Sequence, residues 1–128
     1  GTCESIDFGY ACIVDTEPEI IRLSDMKTYS LGSEFTDCSL SIDEGGVIIS
    51  DYANTKYSFF DFKTETIRKI GTISESGYMI ITAITDNKIF VTYTEKGDVA
   101  LGYIEKEDFY SGKFSSVKFI KNYDEDLT

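Results

Sequence analysis

The chain has 128 residues, a formal net charge of −11 and no histidine. The acidity argues against nucleic acid as a partner, because binding to phosphates needs a basic surface, and an anionic membrane surface would repel the chain for the same reason. The missing histidine excludes Ser-His-Asp and Cys-His catalysis and histidine metal ligands. No phosphate-binding glycine motif is present either, so we expect no cofactor and no metal site.

In chain order, the first predicted elements lie in Ser5–Thr28. Short apolar runs between turn residues predict strands, and Pro18 suits a turn because its φ is fixed. The next segment, Ser41–Gly71, predicts a four-stranded antiparallel meander with short turns. Its β-branched run Val47–Ser50 favours a strand, since such side chains fit a pleated sheet.

These two segments repeat one skeleton with an offset of 36 residues. Turn residues match as well as apolar positions, so the repeated element is a supersecondary unit rather than a chance apolar pattern. The identical pairs are Ser5/Ser41, Ile6/Ile42, Asp7/Asp43, Gly9/Gly45, Ile13/Ile49, Asp15/Asp51, Asp25/Asp61, Lys27/Lys63 and Thr28/Thr64.

A looser third copy follows. Its predicted strands are Met79–Thr85, Ile89–Thr94, Val99–Ile104 and Lys113–Ile120. The sequence therefore predicts one all-β domain of three repeats, at about 5–36, 37–77 and 78–120, with an acidic tail at 121–128.

The segment Val47–Asp61, VIISDYANTKYSFFD, resembles an NHL-type β-propeller repeat, whose core runs strand, Asp, turn, Asn, strand. The first repeat keeps Asp15 but has Pro18 or Glu19 in place of the Asn, and the third has threonine where the Asp would fall. The resemblance implies six-bladed propellers that bind proteins or nucleic acid, with a minority of lyases and hydrolases. The RNA-binding branch is the least similar, because its basic surface is missing here.

Three four-stranded repeats cannot close a propeller, which needs ~4–8 blades. We therefore expect half of a six-bladed propeller, closed into a ring by a second copy, or a fragment of a longer one. A β-trefoil is the alternative, because three four-stranded repeats of this length suit it as well.

Asp15 and Asp51 recur at equivalent places and are candidate ligands for a cation or a basic partner. An Asp that enters a tight turn also bonds its own backbone, and this structural explanation is complete by itself. The motifs beginning at Asp25 and Asp61 are interpreted as turns in the same way.

The segment Glu105–Gly112 is the one insertion that breaks the repeat, with Phe109 and Tyr110 at its centre. Insertions in repeat proteins form surface loops, often on the binding face, so this segment is the best candidate for an interaction loop. Within it, Lys106–Tyr110 is expected to form at most a helical turn.

Several tyrosines could form an exposed aromatic surface, or lie half-buried on strands. They are Tyr52, Tyr93, Tyr103 and Tyr110. The three cysteines, Cys3, Cys12 and Cys38, form no C-x-x-C motif, so no zinc or redox site is predicted. Cys12 is expected to be a buried thiol, and its pairing with Cys38 stays open.

These patterns favour a non-catalytic binding or scaffold module whose partner is another protein or a second copy. The predicted binding residues are Asp15, Asp51, Tyr52, Phe109 and Tyr110. Two alternatives stay open: part of a propeller hydrolase or lyase, and a β-trefoil that binds a small ligand or carbohydrate.

Overall fold

The computed structural model describes residues 2–14, 17–73, 77–95 and 97–122 as an all-β structure of three four-stranded antiparallel sheets. In each sheet the strands follow one another as a meander. The all-β class and the three four-stranded sheets are thus confirmed. The first sheet contains Thr2–Asp7 (β1), Tyr10–Val14 (β2), Glu19–Arg22 (β3) and Lys27–Ser30 (β4); the second contains Ser39–Asp43 (β5), Gly46–Ser50 (β6), Lys56–Asp61 (β7) and Ile67–Thr72 (β8); the third contains Gly77–Ile84 (β9), Lys88–Glu95 (β10), Asp98–Glu105 (β11) and Lys118–Asn122 (β12).

The repeat is visible in the hairpins that open the first two sheets. The backbone N–H of Phe8 donates to Asp7 Oδ1 at 2.9 Å, and the N–H of Glu44 donates to Asp43 Oδ1 at 2.8 Å. Phe8 and the following Gly9 both adopt positive φ, which gives the tight two-residue turn of a β-hairpin. Equivalent aspartates therefore make the same hydrogen bond in both hairpins, although Glu44 and Gly45 do not adopt positive φ.

The turn before β4 and the turn before β8 each contain a further hydrogen bond of the same kind. The N–H groups of Lys27 and Lys63 donate to Oδ1 of Asp25 and Asp61, at 3.2 and 2.7 Å. These bonds confirm that the two aspartates act as turn residues. The copies diverge afterwards, because Lys27 begins β4, whereas Lys63 is followed by further turn residues before β8 begins.

The last part of the chain differs from the prediction. Lys106–Tyr110 is a short α-helix (α1), where at most a turn was expected. The final strand is Lys118–Asn122 rather than Lys113–Ile120, because the segment before it turns through a short 3-10 helix, Phe114–Ser116, whose first ring is buried. The predicted tail therefore contributes its first two residues to β12, and residues 123–128 lie outside the described part of the chain.

Contacts divide the chain into two compact units. The N-terminal unit contains Gly1–Ala53 and Tyr57–Lys69, and its core lies between the first and second sheets. The buried side chains of this core are Cys12, Ile20, Leu31, Cys38, Leu40, Val47, Ile49 and Phe60. Cys12 and Cys38 are both thiols there, so Cys12 is buried as expected and the two do not form a disulfide.

The C-terminal unit contains Asn54–Lys56 and Ile70–Thr128, including the third sheet. One face of this sheet is buried, and α1 packs against β10 and β11. The buried side chains on that face include Met79, Ile89, Val91 and Ile104. In the part of the chain that the structure describes, none of the helices has the length and apolar character needed to cross a bilayer.

Candidate interaction surfaces

The turn between β6 and β7 carries two of the predicted binding residues. Tyr52 is 80% exposed, whereas Asp51 is partly buried. Asn54 completes the turn with a φ of 57°, a conformation that asparagine tolerates better than most residues. Asp15, the predicted counterpart of Asp51, lies outside the described residues. The structure therefore presents Tyr52 as an isolated exposed ring on this turn.

The predicted interaction loop is anchored by its own aromatic residues. Phe109 is fully buried, and its ring centroid lies 5.3 Å from that of Phe114 and 5.6 Å from that of Tyr110. Tyr110 is half-buried. Because the Phe109 ring faces the interior of the unit, it stabilises the insertion and presents no surface to a partner.

The tyrosines of the third sheet lie on opposite faces. Tyr103 is paired with Phe90 across β10 and β11, with ring centroids 5.9 Å apart, whereas Tyr93 shares the other face with Ala100. Both tyrosines are half-buried. They belong to the sheet as ordinary strand residues, and they do not form one aromatic surface.

The first sheet has an apolar face that points away from the core of its unit. Side chains of directly paired strand residues share a face, and the register pairs Ile6 with Ala11 and Ala11 with Ile21. Ile13 lies on the same face, two residues after Ala11. Ile6 is 63% exposed, Ile13 and Ile21 are half-buried, and Ala11 at the centre of this face is buried. We call these residues the outer face of the first sheet.

The third sheet also has an apolar outer face, opposite its buried one. The register places all its members on one side of β9, β10 and β11, and two of them are more than 40% exposed. Two lysines of the edge strand β12 lie on the same side, since Lys118 pairs with Tyr103 and Lys121 with Leu101. The members of the outer face of the third sheet are Tyr78, Ile80, Phe90, Val99, Leu101 and Tyr103.

A pocket of about 430 Å³ opens at one end of the third sheet, on its buried side. This volume lies within the range of small-ligand sites. Its lining combines two aromatic rings, two carboxylates and an amide around one small residue. The lining residues are Tyr93, Glu95, Asp98, Ala100, Phe119 and Asn122.

A charged network joins the β3–β4 hairpin to the β7–β8 turn within the N-terminal unit. Arg22 binds Asp25 through Nε at 3.0 Å and Nη2 at 2.7 Å, and its Nη1 lies 2.8 Å from Glu65 Oε2. The Tyr29 hydroxyl donates to the same Glu65 oxygen. The guanidinium of Arg22, with the backbone N–H of Lys27, lowers the pKa of Asp25 to about 2. This network holds turns of two sheets together.

The pKa values of two further network members, Arg22 and Tyr29, shift upward. The hydrogen bonds to Asp25 raise the pKa of Arg22. Desolvation, with the hydrogen bond to the Glu65 carboxylate, raises the pKa of Tyr29. Glu65 holds its position with a φ of 57°, an uncommon conformation for this residue. These side chains form their hydrogen bonds and ion pairs with one another, so the network is best explained as a link between the two sheets.

The sequence analysis missed both outer faces and the pocket. Each of them depends on which strand residues share a face of the sheet. The 36-residue repeat contained part of this information, because its apolar positions lie on both faces of the sheet. Within the described residues, no three metal-ligating side chains come together. Comparisons with protein-family models, with curated proteins and with solved structures find no match. The similarity to NHL-type propeller repeats therefore stays a prediction from the motif at Val47–Asp61.

Proposed function

We propose that this chain is a non-catalytic scaffold module of propeller-like blades, which binds a second copy of itself through its open sheet faces. Each four-stranded meander corresponds to one blade, and two chains supply six blades, a number within the ~4–8 of closed propellers. The outer face of the first sheet in one copy packs on the outer face of the third sheet in the other copy.

The observation that carries this proposal is the equivalence of two faces within the repeat. The outer-face residues Ile6, Ala11 and Ile13 correspond to Ile42, Val47 and Ile49 of the second sheet. Those three second-sheet residues lie in or against the core between the first two sheets. The same blade face is thus covered by another blade in the second sheet and open in the first.

The composition of the open faces supports this assignment. A sheet face that meets only water is usually polar, because exposed apolar surface promotes association. Here Ile6 of the first sheet and Ile80 of the third sheet remain exposed. Charged residues lie at the margins of both faces: Glu19 shares the face of Ile13, and Lys118 lies beside the third-sheet face.

A head-to-tail contact between unlike faces makes a specific prediction for charged variants. Ile6→Lys and Ile80→Glu each place a charge into one of the two faces, so each purified variant is expected to lose self-association. When the two variants are mixed, one contact joins the lysine to the glutamate and the other is unaltered. Sedimentation velocity is therefore expected to show a restored dimer in the mixture.

Tyr52→Lys is the matched control, because Tyr52 is exposed but lies on the β6–β7 turn. This variant is expected to associate as the original chain does. A mixture that remains monomeric, or a loss of association caused equally by the control, would overturn the head-to-tail assignment. A binding module that acts through another surface would then replace the proposed one.

A further inference from the structure

The pocket at the end of the third sheet has a shape that follows from its register. Ala100 pairs with Tyr93 on one side and with Asn122 on the other, so a small side chain lies between two larger ones. The Phe119 ring stands nearly perpendicular to that of Tyr93, at a centroid distance of 5.9 Å. The alanine thus forms a floor between an aromatic wall and an amide.

The mouth of this pocket is acidic. Glu95 and Asp98 are direct partners in the last pair of the β10–β11 hairpin. The chain as a whole carries a net charge of −11, which attracts cations to its surface.

We propose that this pocket binds the cationic side chain of a lysine or arginine presented by a basic segment of a protein partner. The aliphatic stem lies along the rings of Tyr93 and Phe119, which favour a nearby cation. The charged end reaches the carboxylates of Glu95 and Asp98. A volume of about 430 Å³ suits such an extended group better than a bare metal ion, which needs a compact shell of oxygen ligands.

The site can be tested with a single capped lysine, Nα-acetyl-lysine methylamide, titrated into the isotope-labelled chain of 128 residues and followed by NMR. We expect saturable shifts centred on Tyr93, Ala100 and Phe119, with a dissociation constant of about millimolar order. The same molecule acetylated on its side-chain nitrogen has no charge and is expected to produce no such shifts.

A matched pair of double variants separates the pocket from general attraction to an acidic surface. Glu95→Gln with Asp98→Asn is expected to weaken binding about fivefold or more, because both charge contacts are lost. Asp86→Asn with Glu107→Gln removes the same charge from exposed residues of the same unit that do not line the pocket. This control is expected to bind within about twofold of the original chain.

Equal weakening by both double variants, or shifts spread over all exposed carboxylates, would overturn the pocket assignment. Equal binding of the acetylated molecule would do the same. These residues do not belong to the outer faces that carry self-association, so the two proposals can fail separately.

Discussion

The first and second sheets are built from the same repeated residues but have different surroundings. In the second sheet, Ile42, Val47 and Ile49 lie in or against a core, whereas their counterparts in the first sheet face outward, with Ile6 largely exposed. The second sheet is also buried on its other face, where Ile48 and Tyr57 are almost inaccessible. The second copy thus has two covered faces, and the first copy has one.

This difference shows what a repeat encodes. The repeated residues specify a strand meander with two apolar faces, and the position in the chain decides how many of those faces are covered. The hairpin aspartates Asp7 and Asp43 make the same hydrogen bond in both surroundings, so this bond does not depend on what covers the sheet. The uncovered face of the first sheet therefore has the same apolar pattern as the covered face of the second sheet.

The largest expected effect comes from shortening one isoleucine on the covered face of the second sheet and one on the corresponding open face of the first sheet. Ile49→Ala removes a buried core side chain, and it is expected to lower the free energy of unfolding by about 2–5 kcal/mol. Ile6→Ala, on the open face, is expected to cost less than about 1 kcal/mol in dilute solution. Urea unfolding of both variants at low concentration measures the difference. Equal losses would contradict the distinction between a covered and an open face.

A second comparison concerns Gly46 of the second sheet and Tyr10, which occupies the equivalent position of the first sheet. A Cβ on Gly46 would lie 2.1 Å from the Phe60 carbonyl oxygen and 2.5 Å from the Phe59 ring. Gly46→Ala is therefore expected to destabilise the chain by about 1–3 kcal/mol or more, because the backbone at Phe60 must move to make room for the methyl group.

Gly45→Ala is the control for this substitution, because a Cβ there meets nothing within 4 Å and the residue does not have positive φ. Its unfolding midpoint is expected to change little. In the first sheet the equivalent site holds Tyr10, whose ring stacks on Phe62 with a centroid distance of 3.9 Å. A tolerated alanine at Gly46 would contradict the close approach of the neighbouring strand β7 to this residue.

The smallest expected effect concerns the network that links the two sheets. The pKa of Asp25 is about 2 in the folded chain, below the ordinary 3.8. The ion pair with Arg22 therefore stabilises the fold at pH values above the ordinary pKa of an aspartate. This contribution is lost as the pH falls towards 2. The effect is small, because both side chains are partly exposed and screened by salt.

Asp25→Asn removes this dependence. The thermal midpoint of the original chain is expected to fall more than that of the variant between about pH 5 and about pH 2.5. Asp86→Asn, at an exposed turn of the third sheet, is expected to behave as the original chain does. Identical acid sensitivity in all three proteins would show that Asp25 does not contribute to the pH dependence of stability.

The sequence was informative about strands and turns because their signals are local. Alternation, turn aspartates and the repeat offset predicted all three meanders, and the hydrogen bonds of Asp25 and Asp61 agree with that interpretation. The segment Lys106–Tyr110 was expected to form at most a helical turn, whereas it is a short α-helix. It depends on burial of Phe109 beneath the sheet, a tertiary contact that local propensity does not record.

The candidate surfaces were harder to predict, because they depend on register. Tyr93 and Tyr103 look alike in sequence, but the pairing of β10 with β11 places them on opposite faces. The pocket requires Ala100 to lie between Tyr93 and Asn122, and no single strand contains that information. Phe109 was proposed as a contact residue because the loop breaks the repeat, whereas its ring is fully buried.

The solution mass of the chain tests the central claim most directly. Size exclusion with light scattering, at several protein concentrations, is expected to give twice the 14.4 kDa of one chain. Association is expected to strengthen with ionic strength, because each copy carries a net charge of −11 and salt screens the repulsion between copies. A mass of one chain at every concentration and salt level would contradict the account, and the open faces would then be no interface between copies.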